Sequence, residues 1–174
     1  MTARHSTVET DGATPVSPAA HRRTHRQEIR TADRQAMRIA ARQWGVLTRA
    51  QALKAGLTGD QVIYRLRTGQ WRQAAHGVYV VAGTPSRWEQ KAMIACLAGP
   101  DGTVASHLTA AALFGLGKPP PVPQVTVGSQ ASGRFRGAAV FRGRIGPGEA
   151  CTRSRIPCTS PARTVVDCAA AGLL

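Results

Sequence analysis

The alternation of apolar and polar positions changes period along this chain, and each change marks an element. From Thr31 onward, Met37, Ala40, Ala41 and Trp44 fall at i, i+3, i+4 and i+7, one apolar stripe of a helix that Gly45 ends. Thr48-Arg49-Ala50-Gln51 is a capping-box pattern, Thr as cap and Gln three residues on. It predicts a second helix with Ala52 and Leu53 inward, stopped by Gly56. The device repeats at Thr58-Gly59-Asp60-Gln61 and opens a third helix, with Asp60 suited to the positive end of the dipole. That helix buries Val62, Ile63 and Leu66, runs to Thr68 and is terminated by Gly69. Period two then takes over: Trp71 begins a short strand, Ala75-His76-Gly77 makes the turn, and Val78-Tyr79-Val80-Val81 returns. Two capped helices separated by a Gly-Leu turn and followed by a hairpin are the plan of a winged helix-turn-helix, with Trp71 and Tyr79 packing the wing against the helices.

Gly83-Thr84-Pro85 breaks the pattern and marks a boundary. Beyond it, Ser86 to Leu97 reads as a helix burying Trp88, Met93, Ile94 and Leu97. Ser106 is expected to cap a short helix from His107 to Phe114. Lys118-Pro119-Pro120-Pro121-Val122-Pro123 is a stiff connector. Val125 to Val127, Ala138 to Arg142 and Arg155 to Cys158 read as strands, with a turn or loop over 129–137. Thr159-Ser160-Pro161 starts a last helix, since Pro suits its first turn. The chain therefore reads as α+β: a disordered basic extension over 1–30, a winged helix-turn-helix over 31–83, and a small mixed α+β module over 84–174. The apolar ending Gly172-Leu173-Leu174 implies either that the last helix docks on the module or that the chain once continued.

Charge adds a partner. The 174 residues carry net charge +14, divided as +8 over residues 1–82 and +6 over 83–174, so both halves suit a polyanion. Only three of the 23 basic residues are lysines. The bias fits a GC-rich genome, and equally the forked contacts that Arg makes to phosphate and guanine. The run from His21 to Arg26 reads as part of an unstructured extension, with a basic arm along a phosphate backbone as the alternative. Cys96, Cys151, Cys158 and Cys168 show no ligand spacing, so buried free thiols are expected and no metal. Residues 1–30 hold no signal-like apolar run and the chain no membrane-length one, so a cytoplasmic, membrane-independent protein is expected.

On the third helix the side left to solvent is Gly59, Asp60, Gln61, Tyr64, Arg65 and Arg67. Arg65 and Gln61 carry donors and acceptors that match base edges in the major groove, Tyr64 suits a thymine methyl or a phosphate, and Arg67 suits backbone. Thr48 and Arg49 at the start of the second helix, Thr58 at the start of the third, Arg72 on the first wing strand and His76 at its tip complete the expected DNA-contacting set. No catalytic set or cofactor site emerges. Ser106 and His107 are neighbours rather than a nucleophile–base pair, and His107 is expected to be structural. The sparse carboxylates make no nuclease cluster, and Arg163 and Asp167 at i, i+4 read as an ion pair.

Gly45-Val46-Leu47-Thr48-Arg49-Ala50-Gln51-Ala52, Gly56-Leu57-Thr58, Arg65-Leu66-Arg67-Thr68-Gly69-Gln70-Trp71 and Gly77-Val78-Tyr79 resemble the N-terminal winged-helix domain of AbiEi-type antitoxins of type IV toxin–antitoxin systems. Ala105-Ser106-His107, Ala110 to Leu116 and Thr159 to Asp167 resemble the region that follows in actinobacterial members. The resemblance spans roughly residues 34–172. It implies double-stranded DNA binding at inverted repeats, repression of the chain's own operon, and a second, antitoxin-like domain acting against a nucleotidyltransferase-like toxin. Many relatives continue into a nuclease-like domain absent from this sequence, so a shortened relative is one reading. A protein-docking module is the other class of function left open.

Overall fold

The structure, a computed structural model, describes residues 18–130 and 137–173. Helix α1 (Pro18–Arg42) leads into strand β1 (Val46–Thr48), α2 (Arg49–Lys54), α3 (Gly59–Arg67) and the hairpin β2 (Trp71–Ala75) and β3 (Val78–Val81). The second half runs α4 (Trp88–Ala98), β4 (Val104–Ala105), α5 (His107–Leu113), β5 (Gln124–Val127), β6 (Ala139–Arg142), β7 (Ala150–Arg153), β8 (Ile156–Thr159) and α6 (Pro161–Ala170). The α+β class and the winged helix-turn-helix order hold. Among the described residues no helix is long and apolar enough to cross a membrane.

Three expectations change in detail. Helix α1 starts at Pro18, not Thr31, so the second part of the expected disordered extension is helical; residues 1–17 lie outside the described residues, as do 131–136 of the expected loop. Ala19 and Ala20 are strong helix formers, and the preceding Pro fits the first turn. The buried stripe of α1 is Ala32, Ala36 and Ala40, whereas Met37 is 45% exposed and Ala41 is exposed. Small side chains let α1 lie close on the helical core, and that outweighs the larger area Met37 offers. Third, strands β1, β4 and β7 form where the sequence pattern marked none; three-residue β1 and two-residue β4 exist only through pairing, β1 with β3 and β4 with β5 and β8.

The small sheet, ordered β1-β3-β2 and antiparallel, joins the two halves. Its alternation sends Leu47, Trp71 and Tyr79 into a core with Ala36, Ala52, Leu57 and Val62, and the Trp71 and Tyr79 rings stack at 5.9 Å. Val46, Val78 and Val80 point the other way, into a core with Met93, Cys96, Val125 and Ile156. The wing sheet is thus buried on both faces. Gly45 makes the corner before β1 at φ +79°, where a Cβ would stand 2.3 Å from the Thr84 side chain, so only glycine fits. Buried Gln90 donates to the Trp44 carbonyl at 2.8 Å, and Trp44 Nε1 donates to the Ser154 carbonyl at 2.9 Å.

The five-stranded mixed sheet, ordered β6-β5-β4-β8-β7, carries α4 and α5, and α6 packs on α5. Ser106 occupies the cap position of α5, but its hydroxyl does not cap. It pairs with His107 Nδ1 at 2.9 Å, and the Gln124 side chain accepts from the Leu108 N–H at 2.8 Å instead. At α6 the expected start holds, with Ser160 as cap and Pro161 in the first turn.

Candidate nucleic-acid interface

Both capping boxes close. The Gln51 N–H donates to Thr48 Oγ1 at 3.1 Å and the Thr48 N–H to Gln51 Oε1 at 2.9 Å; the corresponding pair at Thr58 and Gln61 spans 3.2 and 3.1 Å. These polar groups therefore fix where α2 and α3 begin. The same bonds occupy the Thr48 and Thr58 hydroxyls and the Gln61 side-chain oxygen, so Gln61 has its amide N–H groups to offer a partner.

Arg49 is brought to the start of α3: a Cβ on Gly59 would lie 3.3 Å from its guanidinium. The Arg49 N–H also donates to the Gly77 carbonyl at 2.7 Å, tying α2 to the wing turn beside exposed His76. Arg49, His76 and the first turn of α3 consequently form one edge. Arg72 is exposed but lies elsewhere. It alternates with Trp71 and Gln73 and sits across from Val80, on the sheet face turned to α4.

Arg65 corrects the sequence expectation. It is 7% exposed, pairs with Asp33 of α1 through Nε at 3.0 Å and through Nη2, donates Nη1 to the Gln61 carbonyl at 2.6 Å, and lies over the Trp71 ring at 5.7 Å. Each of its three nitrogens makes a bond inside the protein, locking α3 to α1 and the wing. Arg67, two residues on, is exposed. Ile63, expected inside, is 45% exposed, and Tyr64 is 60% exposed. They line a groove of about 630 Å³ with Asp60, Gln61, Arg67 and Ile29 of α1. The outer face of α3 is therefore more apolar than the sequence suggested.

In the second half one polar cluster is turned inward. Arg163 Nε donates to Asp167 at 2.8 Å, and Nη1 donates to Glu149 at 2.7 Å and to the Arg144 carbonyl at 3.1 Å. The carboxyl of Glu149 is held below its ordinary range, first by the Gly146 N–H and then by Arg163. His107 is buried, adopts φ +50° and stacks on Phe141 at 3.6 Å. Burial lowers its pKa, the Asp167 charge works against that, and Arg163 adds to it. Cys96 and Cys158 are buried thiols pushed up to about 12, chiefly by desolvation. Among the described residues no group of His, Cys, Asp and Glu is placed to hold a metal ion.

Residues 34–82, from α1 through the end of β3, match the family described as transcriptional regulator, AbiEi antitoxin. That stretch coincides with the helices, the hairpin and the edge formed by Arg49, His76 and α3. No curated protein matches the chain.

Proposed function

We propose, from the match of residues 34–82 to the AbiEi antitoxin family of transcriptional regulators, that this chain binds double-stranded DNA in a sequence-dependent way and represses its own operon as the antitoxin of a type IV system. The observation that carries this is the outer face of α3. It presents Ile63, Tyr64 and Arg67 on a helix whose start is flanked by Arg49 and His76. A helix so presented enters the major groove, where apolar side chains meet thymine methyls and Arg67 holds the phosphate backbone. Thr48 and Thr58 offer their helix N-termini to phosphates, and Arg72 serves a neighbouring stretch of backbone. Arg65 takes the part of a brace. The family is regulatory rather than enzymatic.

Footprinting on DNA from upstream of the chain's own gene tests this. Protection of an inverted repeat, with weaker binding to an unrelated duplex, is expected. Equal affinity for every duplex overturns sequence dependence, and no retardation at all overturns DNA binding. Co-expression with a nucleotidyltransferase-like protein from an adjacent gene is expected to relieve its growth arrest.

One observation favours a second reading, that the second half docks a protein partner: Val165 and Val166 are 48% and 62% exposed side by side on α6. Co-purification of the neighbouring gene product, lost on Val166→Glu and with no DNA retardation by the parent, would replace the DNA reading with this one.

A further inference from the structure

Helix α1 carries an arginine at every fourth position: Arg26, Arg30, Arg34, Arg38 and Arg42. All five are exposed. A step of four residues turns an α-helix about 40° beyond a full circle and rises about 6 Å, so the row winds slowly round the helix over about 24 Å. The buried row Ala32, Ala36 and Ala40 has the same step and drifts in the same sense. The two rows therefore stay on opposite sides of α1 along its length.

Neither carboxylate of the described part of the helix belongs to the arginine row. Asp33 is turned to Arg65, and Glu28, four residues before Ala32, falls in line with the alanine row. Among the described residues no carboxylate pairs with any of the five, and Arg34 alone has a side-chain bond, a long 3.4 Å contact to Thr31. Like charges at i, i+4 destabilise a helix slightly at each step. Among the described residues the row therefore has no carboxylate to offset that repulsion.

The row begins beside the α3 groove. Ile29 lines that groove together with Ile63 and Tyr64, and Arg26 and Arg30 flank Ile29. From there the row leads away from α3. We propose that these five arginines form a second contact of the chain with DNA, holding the phosphodiester backbone of the duplex flanking the segment that α3 enters. It rests on α3 binding duplex DNA. Guanidinium forks suit phosphate oxygens, and a contact made only to backbone adds affinity and salt dependence without base preference. Arg155 extends the cationic surface past the end of the helix, donating to the Ala41 carbonyl at 3.2 Å.

The test is the full chain carrying Arg30→Gln, Arg34→Gln and Arg38→Gln, which keep helix propensity. Binding is followed by fluorescence anisotropy over a salt series, on a short duplex confined to the α3 site and on one extended on both sides. On the extended duplex, the plot of log affinity against log salt is expected to be shallower than the parent's by about 0.9 per lost contact, roughly three in all. The loss should be the same for related and unrelated sequences, and should shrink on the short duplex. An unchanged thermal melt shows that the fold is intact. A variant with the parent's salt slope overturns the assignment while leaving α3 untouched. A loss confined to one sequence overturns it in favour of base reading, and a loss of binding to polyglutamate alone overturns it in favour of an acidic protein. A parent with no affinity for duplex DNA overturns both this and the α3 reading.

Discussion

The winged half and the second half of this chain each hold a guanidinium braced by carboxylate, and they differ in what surrounds it. In the winged half, Arg65 is sunk against Asp33 and Trp71 while Arg49, Arg67 and the α1 row stand in solvent. In the second half, Arg163 gathers Asp167 and Glu149, and His107, Ser106 and Thr126 are buried nearby. One half spends a single cation on architecture and turns the rest outward. The other likewise turns one described cation, Arg163, inward and leaves the rest exposed, but it also buries His107, Ser106 and Thr126. Net charge is similar in the two halves, and each pairs one arginine with carboxylate, so charge alone does not say which half meets a polyanion.

Removing Arg163 should have the largest effect. Arg163→Leu leaves Asp167 without its cation, and Asp167 Oδ2 is already buried with no partner among the described residues. Breaking a largely buried pair costs about 3 kcal/mol. Urea denaturation is expected to show that loss, with DNA affinity unchanged for the molecules that remain folded. A stability-neutral Arg163→Leu that weakens DNA binding would erase the contrast between the halves.

The two arginines of α3 sharpen it. Arg65→Ala removes bonds to a carboxylate and a carbonyl and uncovers Trp71, so about 2 kcal/mol of stability should go while base preference stays. Arg67→Ala should leave the melt within about 0.5 kcal/mol of the parent. Its DNA affinity should fall for all sequences alike, with a shallower salt slope. Melts and salt titrations on the pair check both, and exchanged phenotypes would mean that α3 presents its other face.

Much of the winged half was legible because its signals are local. Thr48 with Gln51 and Thr58 with Gln61 close over three residues, and Trp71 and Tyr79 announced the wing's packing. Arg65 was not legible, since its partner lies 32 residues upstream on a helix whose buried stripe is made of alanines. Ile63 misled because a period-3.6 pattern cannot separate a core residue from one kept outside for a partner. Strands β1 and β4 are too short for any periodicity. The turn between β7 and β8 puts Ser154 and Arg155 at φ 49° and 66°, a conformation that Asn-Gly would have signalled and Ser-Arg does not. The α1 row was in plain sight at constant spacing. It meant little until the opposite face was known to be buried.

Ile63 and Tyr64 make a smaller, more specific prediction. If their exposed apolar atoms meet thymine methyls, replacing thymine by deoxyuridine in the protected half-site removes one methyl per base. Affinity should drop by about 0.8 kcal/mol for each contacted base, near fourfold. Ile63→Ala and Tyr64→Ala variants should be indifferent at the base each one touches. Uridine tolerance in the parent at every position would leave α3 positioned by backbone contacts alone.

The smallest effect belongs to His107. Burial depresses its pKa below 6.5, so the folded chain resists a proton that the unfolded chain accepts. The unfolded state binds more protons in the window beneath 6.5, and stability must fall as the pH drops through it. Glu149 acts with the same sign, but its contribution is lost as the pH falls below its ordinary value of 4.5, beneath the window of His107. Thermal melts without DNA follow this slope. His107→Asn is the suitable variant, since Asn tolerates the left-handed backbone at φ +50°. It should melt earlier than the parent at neutral pH, having lost the stack on Phe141, yet change less on acidification. A variant as pH-sensitive as the parent would move the titration to another group and leave the ring at 107 a packing element only.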